Sequence, residues 1–413
     1  MGQVVILGGG TAGTIAANRL RRRLDRDEWH ITVVDADDEH LYQPGLLMVP
    51  FGEYQRPDLV RPRHRYLASG VRLVRGQVEL VKPADNLVRL AGGELLHYTY
   101  LVIATGTTPR PDQTPGLLGP QWGDTAHEFY TLDGAERLAG ALQRFGGGRV
   151  VIDVVDMPIK CPVAPLEFAF LLDAHLRRRG LRGRTELTYA TPLPGAFTRP
   201  VASQLLGSML TDRNIIVEPD FMAEQVTGDG IVSYDGRRLG YDLLVTVPLN
   251  MGADYVADSG LGDELNHVPV DRHTLQAAGY ENIFALGDAN DVPTSKAGSV
   301  AHVEAELFAD ALAARLHGRP AEADFDGHAN CFVECGDGRA LLLDFNYDTE
   351  PLPGSYPVPG LGPFRLLRPT RLNHWGKHAF RWMYWHALLP DRPLPLPARM
   401  SKAGKHVPQE VAS

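Results

Sequence analysis

Short uncharged apolar runs punctuate this chain, each closed within two residues by a glycine or an acid. They are Val4-Val5-Ile6-Leu7, Ile31-Thr32-Val33-Val34, Leu101-Val102-Ile103-Ala104, Val150-Val151-Ile152 and Ile283-Phe284-Ala285-Leu286. Runs this short and this rich in β-branched residues predict strands covered on both faces, as in a parallel sheet. Between them lie stretches with helical spacing, one running to Arg22 with Ala and Leu on its apolar face and another over Leu166-Glu167-Phe168-Ala169-Phe170-Leu171-Leu172. Strands alternating with helices predict an α/β fold.

The first strand runs into Gly8-Gly9-Gly10-Thr11-Ala12-Gly13. This is a G-x-G-x-x-G turn opening a helix. Gly8 permits the tight turn, Gly10 lets backbone approach a pyrophosphate, and Gly13 lets the helix pack on the strand. The helix start offers free N–H groups to the phosphates. Asp35 closes the second strand, at the distance where an acid binds a ribose hydroxyl. Two later strands, Tyr98 to Gly106 ending in Ala-Thr-Gly and Ile283 to Ala289 containing Gly-Asp, resemble the two-dinucleotide-domain flavoproteins of the glutathione-reductase-like class. That resemblance implies FAD, with Asp288 holding its ribityl chain.

A second glycine turn belongs after Val150-Val151-Ile152-Asp153, but the chain continues Val154-Val155-Asp156-Met157-Pro158-Ile159-Lys160-Cys161. No glycine occurs from Val150 to Arg179. Bulky residues and prolines block close approach to a pyrophosphate, and Asp153 and Asp156 repel it. The expectation is a second Rossmann-like framework that has lost its NADH site. A thiol stands where the cradle would be. The chain has three cysteines, Cys161, Cys331 and Cys335. C-x-x-x-C plus one distant cysteine lacks the spacing and fourth ligand of a zinc site, so no metal is expected. A disulfide framework is not needed in a chain long enough to build its own core. Redox chemistry remains, with Lys160 beside Cys161 favouring the thiolate, against a bland reading of all three as small core residues.

At this point the chain resembles the sulfide:quinone oxidoreductase family, close also to the flavoprotein subunit of flavocytochrome c sulfide dehydrogenases. The segments that carry the resemblance span nearly the whole chain: His40-Leu41-Tyr42-Gln43-Pro44-Gly45, Cys161-Pro162-Val163-Ala164-Pro165, Thr294-Ser295-Lys296-Ala297-Gly298-Ser299-Val300-Ala301-His302, Asn330-Cys331-Phe332, Leu341-Leu342-Leu343-Asp344-Phe345 and Asn373-His374-Trp375-Gly376-Lys377. The resemblance implies a relay of Cys161 and Cys331 on one flavin face, Cys161 facing the flavin and Cys331 carrying the persulfide, with Cys335 structural. It further implies sulfide as the substrate and a membrane quinone as the electron acceptor. Glu167 and His302 are candidate proton carriers. Lys296 stabilises charge on the reduced cofactor, and Phe332 walls a quinone pocket. FAD-contacting positions are Gly8, Gly10, Thr11, Ala12, Gly13, Asp35, Gln43, Pro44, Val78, Ala104, Thr105, Gly106, Gly287, Asp288, Lys296, Ala297 and Gly298. Ala126 to Thr131 holds no cysteine where many members carry one, which favours non-covalent FAD.

With 50 acidic against 41 basic residues the net charge is −9, so no nucleic-acid partner is expected. No charged n-region and apolar h-region precede the first strand, and a cleavable signal is not expected. No uncharged apolar stretch is long enough to span a bilayer. The segment from Arg371 to Pro390 instead interleaves Trp375, Trp382 and Trp385 with Arg371, Lys377 and Arg381. Such a segment suits an amphipathic helix lying in the lipid interface or a C-terminal helix packed on the FAD unit; the resemblance favours lipid, and with it a peripheral, monotopic protein. Homo-oligomers are compatible with the sequence. The expected domains are residues 1–110 and 249–320 for FAD, 111–248 for the degenerate Rossmann-like unit with Cys161, and 321–413 for the C-terminal piece with Cys331. Proline clusters at 351–359 and 390–397 mark extended segments. The alternatives are a flavocytochrome c-type subunit, a type II NADH:quinone oxidoreductase, and a non-catalytic flavin redox or sulfide sensor.

Overall fold

A computed structural model describes residues 1–320, 324–393 and 397–407. The first parallel sheet begins with β1 (Gly2–Leu7), β2 (Trp29–Asp35), β3 (Val71–Arg75) and β4 (Tyr100–Ile103). The chain then builds a second sheet from β5 (Ala126–His127), β6 (Gly148–Val154), β7 (Thr185–Ala190), β8 (Ile215–Glu218) and β9 (Leu243–Val247). It returns to the first with β10 (Ile283–Ala285). The strand orders are β10-β4-β1-β2-β3 and β5-β9-β6-β7-β8, with every neighbouring pair parallel. The two sheets are therefore copies of one plan, with β6 standing where β1 does. Each copy also carries a three-stranded antiparallel meander. The two crossings between them run side by side, Thr107–Pro109 pairing antiparallel with Asn250–Gly252.

The apolar runs are buried because helices cover the sheets. Val4 to Leu7 are all at most 1% exposed. Five helices matter for the site: α1 (Thr11–Arg23), α2 (Leu132–Arg144), α3 (Ala164–Arg178), α4 (Gly298–Leu316) and α5 (Arg371–Met383). Thr131 caps α2 by accepting from Gly134 N at 3.0 Å, which satisfies one of the free N–H groups of the first turn. Helix α4 lies against α1, beneath the first sheet. The C-terminal piece adds β11 (Ala329–Glu334), β12 (Ala340–Phe345), β13 (Gly354–Val358) and β14 (Gly362–Leu366) in the order β11-β12-β14-β13. Helix α5 packs on this sheet. Part of the expected 390–397 proline segment, residues 394–396, and the first residues of the expected C-terminal piece, 321–323, lie outside the described residues.

Two expectations are corrected here. Asp153 does not face the turn after β6: it is fully buried, accepts a hydrogen bond from Thr246 Oγ1 at 3.3 Å, and repels nothing outside the protein. Asp156 alone remains in that turn, where it accepts from Met157 N. In the C-terminal segment, two of the three basic residues turn away from the outward aromatic face. Trp385 is 1% exposed and sits under Arg61, 4.7 Å from ring centroid to guanidinium. Lys377 turns inward to Glu167, and Arg381 bonds Asp58 at 3.0 Å. What faces outward is an apolar stripe: Leu372, Trp375, Ala379 and Trp382, at helical spacing, with both tryptophans 67% exposed.

Candidate active site

The glycine turn is built as its sequence demands. Gly8 has φ of +93°, and a Cβ there would sit 2.4 Å from Ala104 O in the neighbouring strand. A Cβ on Gly13 would meet Gly8 O at 1.9 Å, so this glycine lets α1 rest on the turn. A Cβ on Gly10 would meet no atom within 4 Å, because Gly10 faces a cavity. That cavity, of about 750 Å³, runs from the turn to the C-terminal sheet.

At the turn, Gly9 N donates to Asp35 at 2.7 Å, and buried Arg63 pairs with the same carboxylate at 2.8 Å. His40 hydrogen-bonds Gly9 O at 3.1 Å and Tyr384 Oη at 2.7 Å, and Tyr384 in turn lies 2.7 Å from Thr11 Oγ1. Burial, with Arg63 nearby, pushes the His40 imidazole down to about 3, so it works as a neutral brace. Tyr384 and Trp385 thus wedge the chain's end under the cradle. Arg63 and Tyr384 were missed by sequence reasoning. Arg63 sits in a basic loop with no pattern to mark it, and Tyr384 was hidden inside a tryptophan-rich stretch assigned to lipid.

Further along, Asp288 lines the cavity and makes no hydrogen bond among the described residues. Burial raises its carboxyl, against the pull of Lys296 and Lys160. Opposite, α4 begins at Gly298 with no side-chain cap, leaving its free N–H groups at the cavity wall beside Ala297 and Ser299. A glycine turn opening to the cavity, an unsatisfied acid midway and an open helix start together fit a long dinucleotide with phosphates at one end and hydroxyls in the middle. Of the expected FAD contacts, Gly8, Gly10, Thr11, Ala12, Asp35, Gln43, Pro44, Ala104, Thr105, Gly106, Gly287, Asp288, Lys296, Ala297 and Gly298 all line it. Gly13 acts from behind the turn. Val78 is set apart from the lining, at the start of a meander strand packed on a second apolar core.

Cys161 and Cys331 line the same cavity, and both thiols are free. Cys161 stands in the turn after β6 with φ of +46°, a left-handed conformation that non-glycine residues adopt rarely. Its N–H donates to Lys296 O at 2.6 Å, which ties the degenerate turn to the Ser-Lys-Ala-Gly segment. Cys331 reaches the cavity from β11. Burial, with the Glu167 carboxylate nearby, pushes the Cys331 thiol up to about 12 and pushes Cys161 further up. The cation that counteracts this is Lys377. Lys160, expected to favour the thiolate, is half-buried with Asp288 and Glu128 as its charged neighbours, and Lys377 is the cation that acts on Cys161. Cys335 is buried away from the cavity, its Sγ 3.3 Å from Val333 O.

Glu167, 1% exposed, is ion-paired with Lys377 and accepts from Glu334 N at 2.6 Å. This pair lies beside both thiols. Lys296 is buried, donating to Asn290 O, with Asp288 as its charged neighbour. His302 lines the cavity, and burial lowers it to about 4. Phe332 packs edge-on against Phe364 at 5.2 Å. With Phe380, Met383 and Trp382 these rings make the far end of the cavity apolar, and Trp382 also belongs to the exposed stripe of α5.

Comparison with known proteins agrees with this architecture. Residues 2–306 match the family described as pyridine nucleotide-disulphide oxidoreductase. The mitochondrial sulfide:quinone oxidoreductase of Dictyostelium discoideum is 26% identical over 400 residues, covering 94% of this chain and 86% of that protein. The mouse mitochondrial sulfide:quinone oxidoreductase is 26% identical over 362 residues, covering 85% of this chain and 79% of its own. The solved structure of the sulfide:quinone oxidoreductase from Aquifex aeolicus superposes with a TM-score of 0.76 at 21% identity, covering 93% of this chain and 91% of that one.

Proposed function

This chain belongs to the pyridine nucleotide-disulphide oxidoreductase family, and we propose that within it the protein is a sulfide:quinone oxidoreductase, with FAD held non-covalently in the cavity. The observation that carries this is one continuous cavity. A dinucleotide cradle lies at one end, Cys161 and Cys331 in the middle, and an aromatic chamber under an exposed apolar helix at the other. The curated relatives above are enzymes of that name and are matched over most of their length.

In the oxidised enzyme the two thiols are joined. Hydrosulfide attacks one sulfur of the Cys161–Cys331 bridge, the S–S bond breaks, and a persulfide forms on Cys331 as Cys161 leaves as a thiolate. Lys377 faces that thiolate as its counter-cation, and Glu167 takes up and returns the sulfide proton. A second nucleophile removes the sulfane sulfur and the bridge re-forms. Bound FAD would supply the two-electron acceptor for that re-formation, with quinone as the final acceptor. Lys296, buried beside Asp288, provides a fixed positive charge where negative charge accumulates. The quinone ring sits in the chamber of Phe332, Phe364 and Phe380.

The stripe of Leu372, Trp375, Ala379 and Trp382 supports contact with a lipid surface, from which a hydrophobic quinone enters past Trp382. No helix among the described residues is long and apolar enough to cross a membrane, so the proposed attachment is monotopic. The domains follow as residues 1–110 with 249–320, 111–248 and 321–413.

The type II NADH:quinone reading requires a glycine turn after β6, and that turn is filled by residues from Val155 to Cys161, whose thiol lines the FAD cavity. The test is steady-state reduction of a short-chain ubiquinone by the FAD-loaded protein, with sulfide or NADH as donor. Turnover with sulfide alone, lost in Cys161→Ser, is expected. Turnover with NADH would contradict the proposal.

A further inference from the structure

Behind α5, away from the cavity, His374 and His378 stand four residues apart and therefore one above the other, their ring centroids 4.5 Å apart. Glu334, the last residue of β11, is 1% exposed and brings both carboxylate oxygens to 3.0 Å from His374 Nδ1. One donor atom each from Glu334, His374 and His378 lies within 4.8 Å of the other two. Glu53, two residues beyond the 3-10 helix Gln43–Phe51, approaches His378 Nε2 to 3.7 Å. None of the four lines the cavity.

We propose that Glu334, His374 and His378, with Glu53 as a fourth donor, form a binding site for a divalent transition cation, Zn²⁺ fitting best. Two imidazoles at i and i+4 on one helix with carboxylates from other elements are the donor set that zinc takes in tetrahedral sites, whereas calcium and magnesium prefer oxygen alone. Donors at zinc distance sit about 3.4 Å apart in a tetrahedron. The Glu334–His374 pair already meets that spacing. His378 has its Nδ1 3.2 Å from the Tyr54 hydroxyl and its Nε2 3.7 Å from Glu53, so binding requires His378 and Glu53 to move in toward the pair. The Glu334–His374 pair would be satisfied as a plain hydrogen bond without a cation; it does not account for His378, whose donor atom lies within 4.8 Å of the other two and which has Glu53 beside its Nε2. A bound cation fastens α5 to β11, the strand of Cys331, and to the segment after Phe51.

The sequence carries no metal signature at this pair, because His374 and His378 are only half of a site whose carboxylates come from distant segments.

The test is titration of the FAD-loaded protein with zinc chloride against a chromophoric chelator. One Zn²⁺ per chain is expected, with affinity falling at least about a hundredfold in His374→Ala and in His378→Ala. The Cys161→Ser/Cys331→Ser double variant is expected to keep wild-type affinity, since thiols are the competing zinc ligands. Zinc should also raise the melting temperature of the wild type and not of His378→Ala. If His374→Ala fails to hold FAD, His378→Gln, which keeps the side-chain bulk, decides alone. Binding that survives the histidine variants, binding that disappears with the thiols, or no stoichiometric binding at all overturns the site.

Discussion

At the scale of single residues, the chemistry gathers around two thiols and one buried ion pair. Replacing Cys161 or Cys331 with Ser is expected to lower sulfide-dependent quinone reduction by at least about a thousandfold, with FAD content unchanged, because each removes a sulfur that must carry a bond in turn. Cys335→Ser, away from the cavity, is expected to leave the rate within about threefold. The pair Glu167–Lys377 makes a different prediction. Lys377→Met strands a carboxylate that burial already raises, at a cost of roughly 3–5 kcal/mol at neutral pH. Without the cation its pKa climbs further, so the folded state holds the proton to higher pH than the unfolded chain. The deficit is therefore small in mild acid and grows as pH rises. Denaturant titrations at pH 5 and pH 8, with Lys377→Met/Glu167→Gln recovering most of the loss, check this. Cys161, Cys331 and Glu167 were legible in the sequence because a short motif or a helix start marked each. Lys377 was visible in its motif but read as facing lipid, since helical phase could not be fixed without knowing what α5 packs against.

At the scale of elements, the β1–turn–α1 unit came through intact, because its glycine pattern is read within one turn: Gly13 answers a clash with Gly8 O and Gly10 an opening, while Gly8 answers the close approach of Ala104. Gly10→Ala should therefore fold normally, since its Cβ meets nothing within 4 Å, yet bind FAD roughly tenfold or more weakly by intruding on the cavity. Equilibrium titration of apoprotein with FAD measures it. The turn after β6 was legible in what it lacks, and Asp153 was not, because only the paired strand β9 shows that the carboxyl points inward to Thr246. Burial raises Asp153 to about 7. Its folded pKa lies above the unfolded one, so the neutral acid's stability is present in acid and lost as pH rises through about 7. Asp153→Asn should therefore gain on the wild type between pH 5 and pH 8, on the order of 2 kcal/mol, as measured by denaturation at both. Helix α5 shows the limit of composition. Its aromatic and basic residues were all visible in the sequence, but only packing separates an outward stripe from an inward anchor. Leu372→Ser/Trp375→Ser is expected to weaken binding to liposomes at least about tenfold while short-chain quinone turnover is retained.

At the scale of the molecule, two copies of one α/β plan face a shared cavity, and they differ at the turn after their first central strand. In the first copy the turn after β1 is glycine and opens to a dinucleotide. In the second, the turn after β6 carries Cys161, held by Lys296 O against the first copy's own helix start. The C-terminal piece closes the arrangement by adding Cys331 from β11 and the aromatic chamber from α5 and β14. The division into two Rossmann-like units was legible from spaced apolar runs. The joint between them was not, because Cys161 and Cys331 come to line one cavity only through the packing of segments far apart in the chain. The central claim is that electrons enter through this joint as sulfur chemistry and not as hydride from a nicotinamide. Its most direct measurement is the anaerobic absorbance of the purified yellow protein on adding sodium sulfide or, separately, NADH. Prompt bleaching by sulfide alone, absent in Cys161→Ser and reversed by added quinone, is the predicted result. Bleaching by NADH, or sulfide bleaching undiminished in Cys161→Ser, would contradict it.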